Sequence, residues 1–394
     1  MPVVLAFAHF DCGPHEGGDR RLWFGFAGDG RRWVLHSASG THGGSDVGSC
    51  GVARRGIVRP LASTSLGVAL LLSFGAICAS TGAMAQQKIV VYSSNDDTLH
   101  KLVFAAFSNE TGIAVEPVSA GSGVVIKRIQ TEKDRPTGDI IWGVSRSLLE
   151  TNKQYFAPYA SKNKDATPAE FREPADLWIG NNLHLMVILQ NTKALPAEQG
   201  PKTWADLLDS KWKGKIAFTD PANSGSAYST VTMLVDLFGG GDAGWTKVKQ
   251  LLANAKILNR SSLVFQGVGN GEYPLGISLE YAGYIWAAGG APVKTIYPAD
   301  GTIVQMEGVA LIKGGPNPDA AKAFVDFINR KDVREMIVKE TFRRPARQDL
   351  DLAKLPGGMP TLSSLKVLSY RENDWTAARG PTLEKIKDMI QETR

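Results

Sequence analysis

Thr219-Asp220-Pro221-Ala222-Asn223-Ser224-Gly225-Ser226-Ala227-Tyr228 follows the β-rich run Lys215-Ile216-Ala217-Phe218 and precedes an apolar run at 231–238. The order is strand, small-residue turn, helix start. The turn places Asn223, Ser224, Gly225 and Ser226 where a helix leaves its first N–H groups unpaired, which is the chemistry of an anion seat. Ser and Asn also cap ordinary surface helices. Taken alone, the stretch leaves both readings open.

The same order recurs through the chain. Lys88-Ile89-Val90-Val91-Tyr92 is a short buried-strand pattern, followed by the polar turn Ser93-Ser94-Asn95-Asp96-Asp97. Leu99, Leu102, Val103, Ala106 and Phe107 then repeat at helical spacing, and Gly112 ends the run. A second strand at 113–118 leads into Ser119-Ala120-Gly121-Ser122-Gly123 and another helix. Asp139-Ile140-Ile141-Trp142 is the next strand, and Asn259-Arg260-Ser261-Ser262 is a further polar turn. Such β-α-β alternation predicts a mainly parallel α/β sheet, whose ligands bind at the carboxyl ends of its strands. GxxxxGK[ST] is absent, and the GxGxxG spacing of Gly239, Gly241 and Gly244 follows the apolar helix-like run 231–238 as a helix stop rather than following a strand, so nucleotide binding is not indicated. Between these turns, 204–208 reads as a helix start, 184–191 as a long apolar strand and 342–347 as a basic loop.

Composition narrows the class. The 394 residues are 43% hydrophobic and 21% charged, with a net charge of +5. That balance suits a globular protein and is too weak to argue for nucleic acid. Residues 1–56 are rich in Gly and Arg without periodicity. Arg54-Arg55-Gly56-Ile57-Val58-Arg59, the apolar run 66–79 and Ala83-Met84-Ala85 then form the three regions of a secretory signal peptide, with cleavage after Ala85. The apolar run is short for a membrane span. A start near Val58 is therefore expected, making 1–56 an extension and 57–85 the signal peptide. Cys12, Cys50 and Cys78 all precede the cut, so the exported chain needs a large core rather than disulfides.

The motif order across 86–394 resembles the periplasmic solute-binding proteins of ABC importers. The class in question contains ferric-ion-binding, phosphosugar-binding and aminoethylphosphonate-binding proteins. The resemblance is carried by Ile89-Val90-Val91-Tyr92-Ser93-Ser94, Thr111-Gly112-Ile113-Ala114-Val115, Asp139-Ile140-Ile141-Trp142, Trp204-Ala205-Asp206-Leu207 and Trp212-Lys213-Gly214-Lys215-Ile216. Gly271-Glu272-Tyr273-Pro274-Leu275-Gly276 and the helix 318–327 complete it. The resemblance implies an α/β, two-lobed type 2 binding-protein fold. Lobe one would be 86–183 plus 310–394, and lobe two 184–309 with hinge strands at its ends. It also implies a periplasmic, monomeric protein that takes no cofactor and delivers a small anionic solute to a membrane permease.

The candidate ligand residues follow from the turns: Ser93, Ser94 and Asn95; Ser119, Gly121, Ser122 and Gly123; Asn223, Ser224, Gly225 and Ser226; Asn259 and Ser261. Arg260, Arg343 and Arg344 offer fixed positive charge, or are solvated surface charges. Glu280 offers a partner for a ligand hydroxyl or ammonium, or pairs with a neighbouring cation. Ferric-binding relatives carry adjacent tyrosines at the place of Leu279-Glu280-Tyr281, so Glu280 and Tyr281 are the metal ligands of the iron alternative. A phosphosugar or aminoalkylphosphonate suits the Ser/Asn/Gly turns better. An exported hydrolase is the remaining alternative. It is disfavoured because GxSxG is missing and only His100 and His184 are available after the cut.

Overall fold

The computed structural model describes residues 87–351 and 355–393, with the backbone of two further strands. Those two, Arg21–Phe26 and Trp33–Ala38, pair antiparallel in a separate N-terminal unit. The expected signal peptide lies outside the described residues. No helix among the described residues is long and apolar enough to cross a membrane.

In the main unit the predicted alternation is realised. Strand β1 (Lys88–Ser93) leads to helix α1 (Asp97–Thr111), then β2 (Ala114–Ser119), α2 (Ser122–Thr131), β3 (Ile140–Ser145) and α3 (Arg146–Thr151). Each boundary has a local cause. The Asp96 side chain accepts the Leu99 N–H at 3.1 Å, and Gly112 takes the left-handed conformation (φ 72°) that ends α1. β1 pairs in parallel with both β2 and β3.

The spine is β4 (Ile179–Asn191), thirteen residues long and buried throughout. It starts five residues before the predicted run. Gly180 and Asn182 belong to it because they pair with another strand, with Asn181 at the register shift between them. The second half of the sheet comprises β5 (Ile216–Thr219), α4 (Gly225–Leu237), α5 (Gly241–Asn254), β6 (Ala255–Leu258), α6 (Ser261–Gly269), β7 (Leu275–Leu279), α7 (Glu280–Ala288) and β8 (Val293–Ile296). β9 (Val304–Ile312) then returns. The first part of β4 pairs antiparallel with β9, and its second part with β7 and β8. The strand order is β2-β1-β3-β9-β4-β7-β5-β6. Parallel pairs therefore lie at both ends, and antiparallel pairs join them in the middle.

Three buried clusters fill the unit. Two cover the faces of the β1–β3 half, around Phe107 and Phe324 on one side and Tyr92, Ile126 and Leu148 on the other. The third surrounds the second part of β4, with Trp204, Phe218, Tyr228, Leu234 and Ile277. After α8 (Pro318–Ile328) and α9 (Lys331–Thr341), the chain ends in α10 (Glu372–Ala377) and α11 (Arg379–Glu392).

Three expectations are corrected. The segment 204–208 forms only a four-residue 3₁₀ turn, Ala205–Leu208. Its backbone donors are captured instead: Lys202 N–H by Asp206 at 2.7 Å, and Trp204 N–H by Asp300. The basic stretch 342–347 is not a solvated loop. Arg343, Arg344 and Arg347 are buried beside Asp96, Glu280 and Asp349. The tail, assigned to the first lobe, instead packs in the third cluster through Ile386 and Ile390. These two residues are four apart and share one helix face. Replacing Ile386 by Ala is therefore expected to lower stability by about 2–4 kcal/mol in a urea titration. A cost below about 0.5 kcal/mol would mean the tail does not dock there.

Candidate functional site

Four helix starts meet at one cleft. α1 begins beside Asp96, α2 beside Gly121, α4 beside Ser224 and α6 beside Arg260. All four flanking residues line a cavity of ≈ 50 Å³, with Ser94, Asn95 and Ser122 on one side and Asn223, Ser226, Ser261 and Ser262 on the other. That is room for a few waters or one compact group. Each helix start contributes roughly half a positive charge. α2 and α6 carry no side-chain cap of their own, and in α2 the Gly123 N–H is taken by a backbone carbonyl.

The hydroxyls form two linked sets. Ser122 Oγ donates to Ser94 Oγ at 3.0 Å, and Ser94 Oγ donates to the Gly143 carbonyl. Opposite, Ser224 Oγ lies 3.0 Å from Ser226 Oγ and 3.1 Å from Ser261 Oγ, and accepts the Ala227 N–H at 3.2 Å. The two sides touch. The Gly123 N–H donates to the Asn223 carbonyl at 3.2 Å. A Cβ on Gly123 would stand 2.1 Å from the Ala222 oxygen, and one on Gly121 2.5 Å from the Asn223 oxygen. Only glycine permits this approach.

Charge is arranged in closed pairs around the cavity. Arg343 binds Asp96 and lies 3.7 Å above the centre of the Tyr281 ring. Burial opposes ionisation of Asp96, but the Arg343 charge and the Leu99 N–H outweigh it and hold the carboxyl below its usual range. Burial pushes the Tyr281 phenol well up, with the Arg343 charge opposing. His184 Nε2 lies 2.8 Å from Glu307, which also lines the cavity. Arg260 differs: it is exposed at the rim and has no ion-pair partner among the described residues.

The structure brings together Ser94, Asn95, Gly121, Ser122, Asn223, Ser224, Ser226 and Ser261 from the candidate set. Ser93 and Ser119 stand aside, because His100 takes both: Nε2 meets Ser93 Oγ at 2.8 Å and Nδ1 meets Ser119 Oγ at 3.2 Å. Gly123 and Gly225 back the cavity as close-contact points rather than lining it. Asn259 is exposed beside it. Glu280 points elsewhere. It accepts from Arg344 Nε at 2.6 Å and Nη2 at 2.7 Å, and from the Tyr297 hydroxyl. Arg343 is a buried support beneath Tyr281. Asp96, Phe265 and Glu307 line the cavity as well and were not among the candidates. Asp96 was legible as a helix cap and Glu307 as one charge opening an apolar strand, whereas Phe265 reads like any core residue.

Residues 136–363 match the family described as bacterial extracellular solute-binding protein. The chain belongs to this family. A Salmonella paratyphi A periplasmic protein named for 2-aminoethylphosphonate binding is 25% identical over 71% of this chain and 85% of its own. The major ferric iron-binding protein of Neisseria meningitidis serogroup B is 27% identical over 68% of this chain and 82% of its own. Among solved structures, the periplasmic binding protein AfuA of Actinobacillus pleuropneumoniae, with exogenous fructose-6-phosphate bound, aligns with a TM-score of 0.71 and 24% identity. It covers 78% of this chain and 99% of its own. The protein is thus a solute-binding protein of an ABC importer with the type 2 fold, and its relatives are binding proteins rather than enzymes.

His100 yields a pH test. Burial pulls its pKa from 6.5 to about 4, against the pull of Asp96 and Asp97. The unfolded chain takes a proton near pH 6.5, and the folded one resists until about 4. Stability is therefore fully present above 6.5 and is lost as pH falls through this window, by about 3 kcal/mol. Urea midpoints of the wild type are expected to fall between pH 7 and 4, and His100→Gln is expected to flatten that slope. An unchanged slope in His100→Gln would assign the loss to other groups.

Proposed function

We propose that this protein captures a small organophosphorus anion, an aminoalkylphosphonate or a compact sugar phosphate, and presents it to its permease. The observation that carries the reading is the meeting of four helix starts with six serine hydroxyls and the unpaired Arg260 in one small cavity. A phosphoryl or phosphonyl group offers three acceptor oxygens to such a set. A second groove opens from the same cavity, sharing Asp96, Arg260, Ser262, Phe265 and Tyr281, and adds Asp97, Gln266 and Trp286. It receives the ligand's tail, with Asp97 facing an ammonium or hydroxyl. The relative named for 2-aminoethylphosphonate binding supports the amine-bearing member of the class. The reading puts the protein in the periplasm, and the periplasmic relatives support it.

A ferric-iron reading rests on Asp96, Tyr281 and Glu307, three oxygen donors in the same cavity. Two facts weigh against it. The Tyr281 phenol is held protonated by burial, and a guanidinium covers its ring. A trivalent ion there would also face the Arg343 charge at short range.

Thermal unfolding of ligand-stripped protein tests both readings. 2-Aminoethylphosphonate or glucose 6-phosphate is expected to raise Tm, by an amount corresponding to about 2.7 kcal/mol at a hundred times Kd. Ferric citrate is expected to leave Tm unchanged. Ser224→Ala combined with Ser226→Ala is expected to weaken the anion at least tenfold, about 1.4 kcal/mol, while the free protein stays folded. Stabilisation by ferric citrate alone, with a charge-transfer colour, would establish iron instead.

A further inference from the structure

A second cleft lies on the other side of the contact made by Gly123 and Ala222. Its walls are α2 and α3, through Lys127 and Thr151, and the start of α11, through Arg379 and Gly380. It shares no lining residue with the ligand cavity. No Asp or Glu is among its described lining residues, whereas Lys127 and Arg379 both are.

Arg379 is the unusual member. It is 93% buried (relative exposure 7%), yet it has no carboxylate partner among the described residues. One face of its guanidinium lies 4.1 Å from the centre of the Tyr228 ring. Its Nη1 has no hydrogen-bond partner at all. Beside the ligand site, buried Arg343 and Arg344 are each matched by a carboxylate, and buried Arg334 donates to the Asn181 carbonyl and to Asn182 Oδ1. A buried cation without a counter-charge is costly, and a guanidinium edge presents parallel N–H donors suited to an oxyanion. α11 also begins at Arg379 without a side-chain cap, so the helix start reinforces the same polarity. Burial pulls the Arg379 pKa down to about 10, so the group remains a cation at neutral pH.

We propose that this cleft is a second anion-binding site, in which a small oxyanion of the phosphate or sulfate type sits between Arg379 and Lys127. Arg379 supplies the fixed fork and exposed Lys127 closes the site from α2. Because Gly123 and Ala222 belong to its wall, the anion would bridge the seam where the two sides of the ligand cleft touch.

Isothermal titration with inorganic phosphate tests this on the purified protein. The wild type is expected to bind one more phosphate than Arg379→Gln. Lys127→Glu, an exposed substitution that leaves the fold alone, is expected to weaken that same phosphate at least fivefold. Arg379→Lys is expected to retain it with reduced affinity, and thereby separates loss of charge from loss of folding. The affinity of the organophosphorus ligand at the Ser224 cavity serves as the check that each variant is folded. Unchanged phosphate stoichiometry and affinity in both Arg379→Gln and Lys127→Glu would overturn the proposal. That result would leave the primary ligand reading intact, because that site shares none of these residues.

Discussion

The Asp96–Arg343 pair ties the ligand cleft together. Asp96 comes from the turn after β1, and Arg343 from the segment after α9. The same carboxylate caps α1 through Leu99, and the same guanidinium covers Tyr281 at the head of α7. One buried ion pair thus joins elements from both halves of the sheet. Breaking such a pair by removing one partner leaves an uncompensated buried charge, roughly 3–5 kcal/mol. The pair also explains why neither charge is free to act as a simple ligand group. The position of Tyr281 is set by packing on Arg343, and its protonation by burial.

Around this pair, the remaining site is built mainly of dipoles. Ser94 and Ser122 on one side, and Ser224, Ser226 and Ser261 on the other, are already hydrogen-bonded to each other before any ligand arrives. Their hydroxyl protons can rotate to suit an anion without moving heavy atoms. Gly121 and Gly123 set the distance between the sides, because any side chain there would meet the 222–223 carbonyls. Preorganisation of this sort limits the ordering cost of binding.

How much of this was legible depends on the level. The alternation of strands, polar turns and helices was plain from periodicity, and eight of the candidate turn residues do line one cavity. The turns were found because capping chemistry is local: Ser224 caps the next turn whatever lies across the cleft. What could not be read was pairing over long sequence distances. Glu280 and Arg344 look like ligand groups in a linear sequence, yet each is consumed by the other across 64 positions. Ser93 and Ser119 looked equivalent to Ser94 and Ser122, but a buried His100 claims them. The docking of α11 is likewise a contact between distant segments, with Val248 and Ile386 meeting in one cluster.

Those internal pairings bear on how the same fold serves different ligands. In this chain Asp96 pairs with Arg343, Glu280 pairs with Arg344, and Glu307 faces His184, so these groups answer one another inside the protein. What remains for the ligand is the field of the helix starts, the rotating hydroxyls and Arg260 at the rim. On the proposed reading, such a set would meet an anionic group through its oxygens and leave the rest of the molecule to the adjoining groove. Exchanging the few residues that line this groove, such as Asp97, Gln266 and Trp286, would then alter the tail that is accepted without disturbing the buried pairs beneath. The stability of the cleft and its choice of ligand are thereby assigned to different side chains, so the second can change while the first is kept.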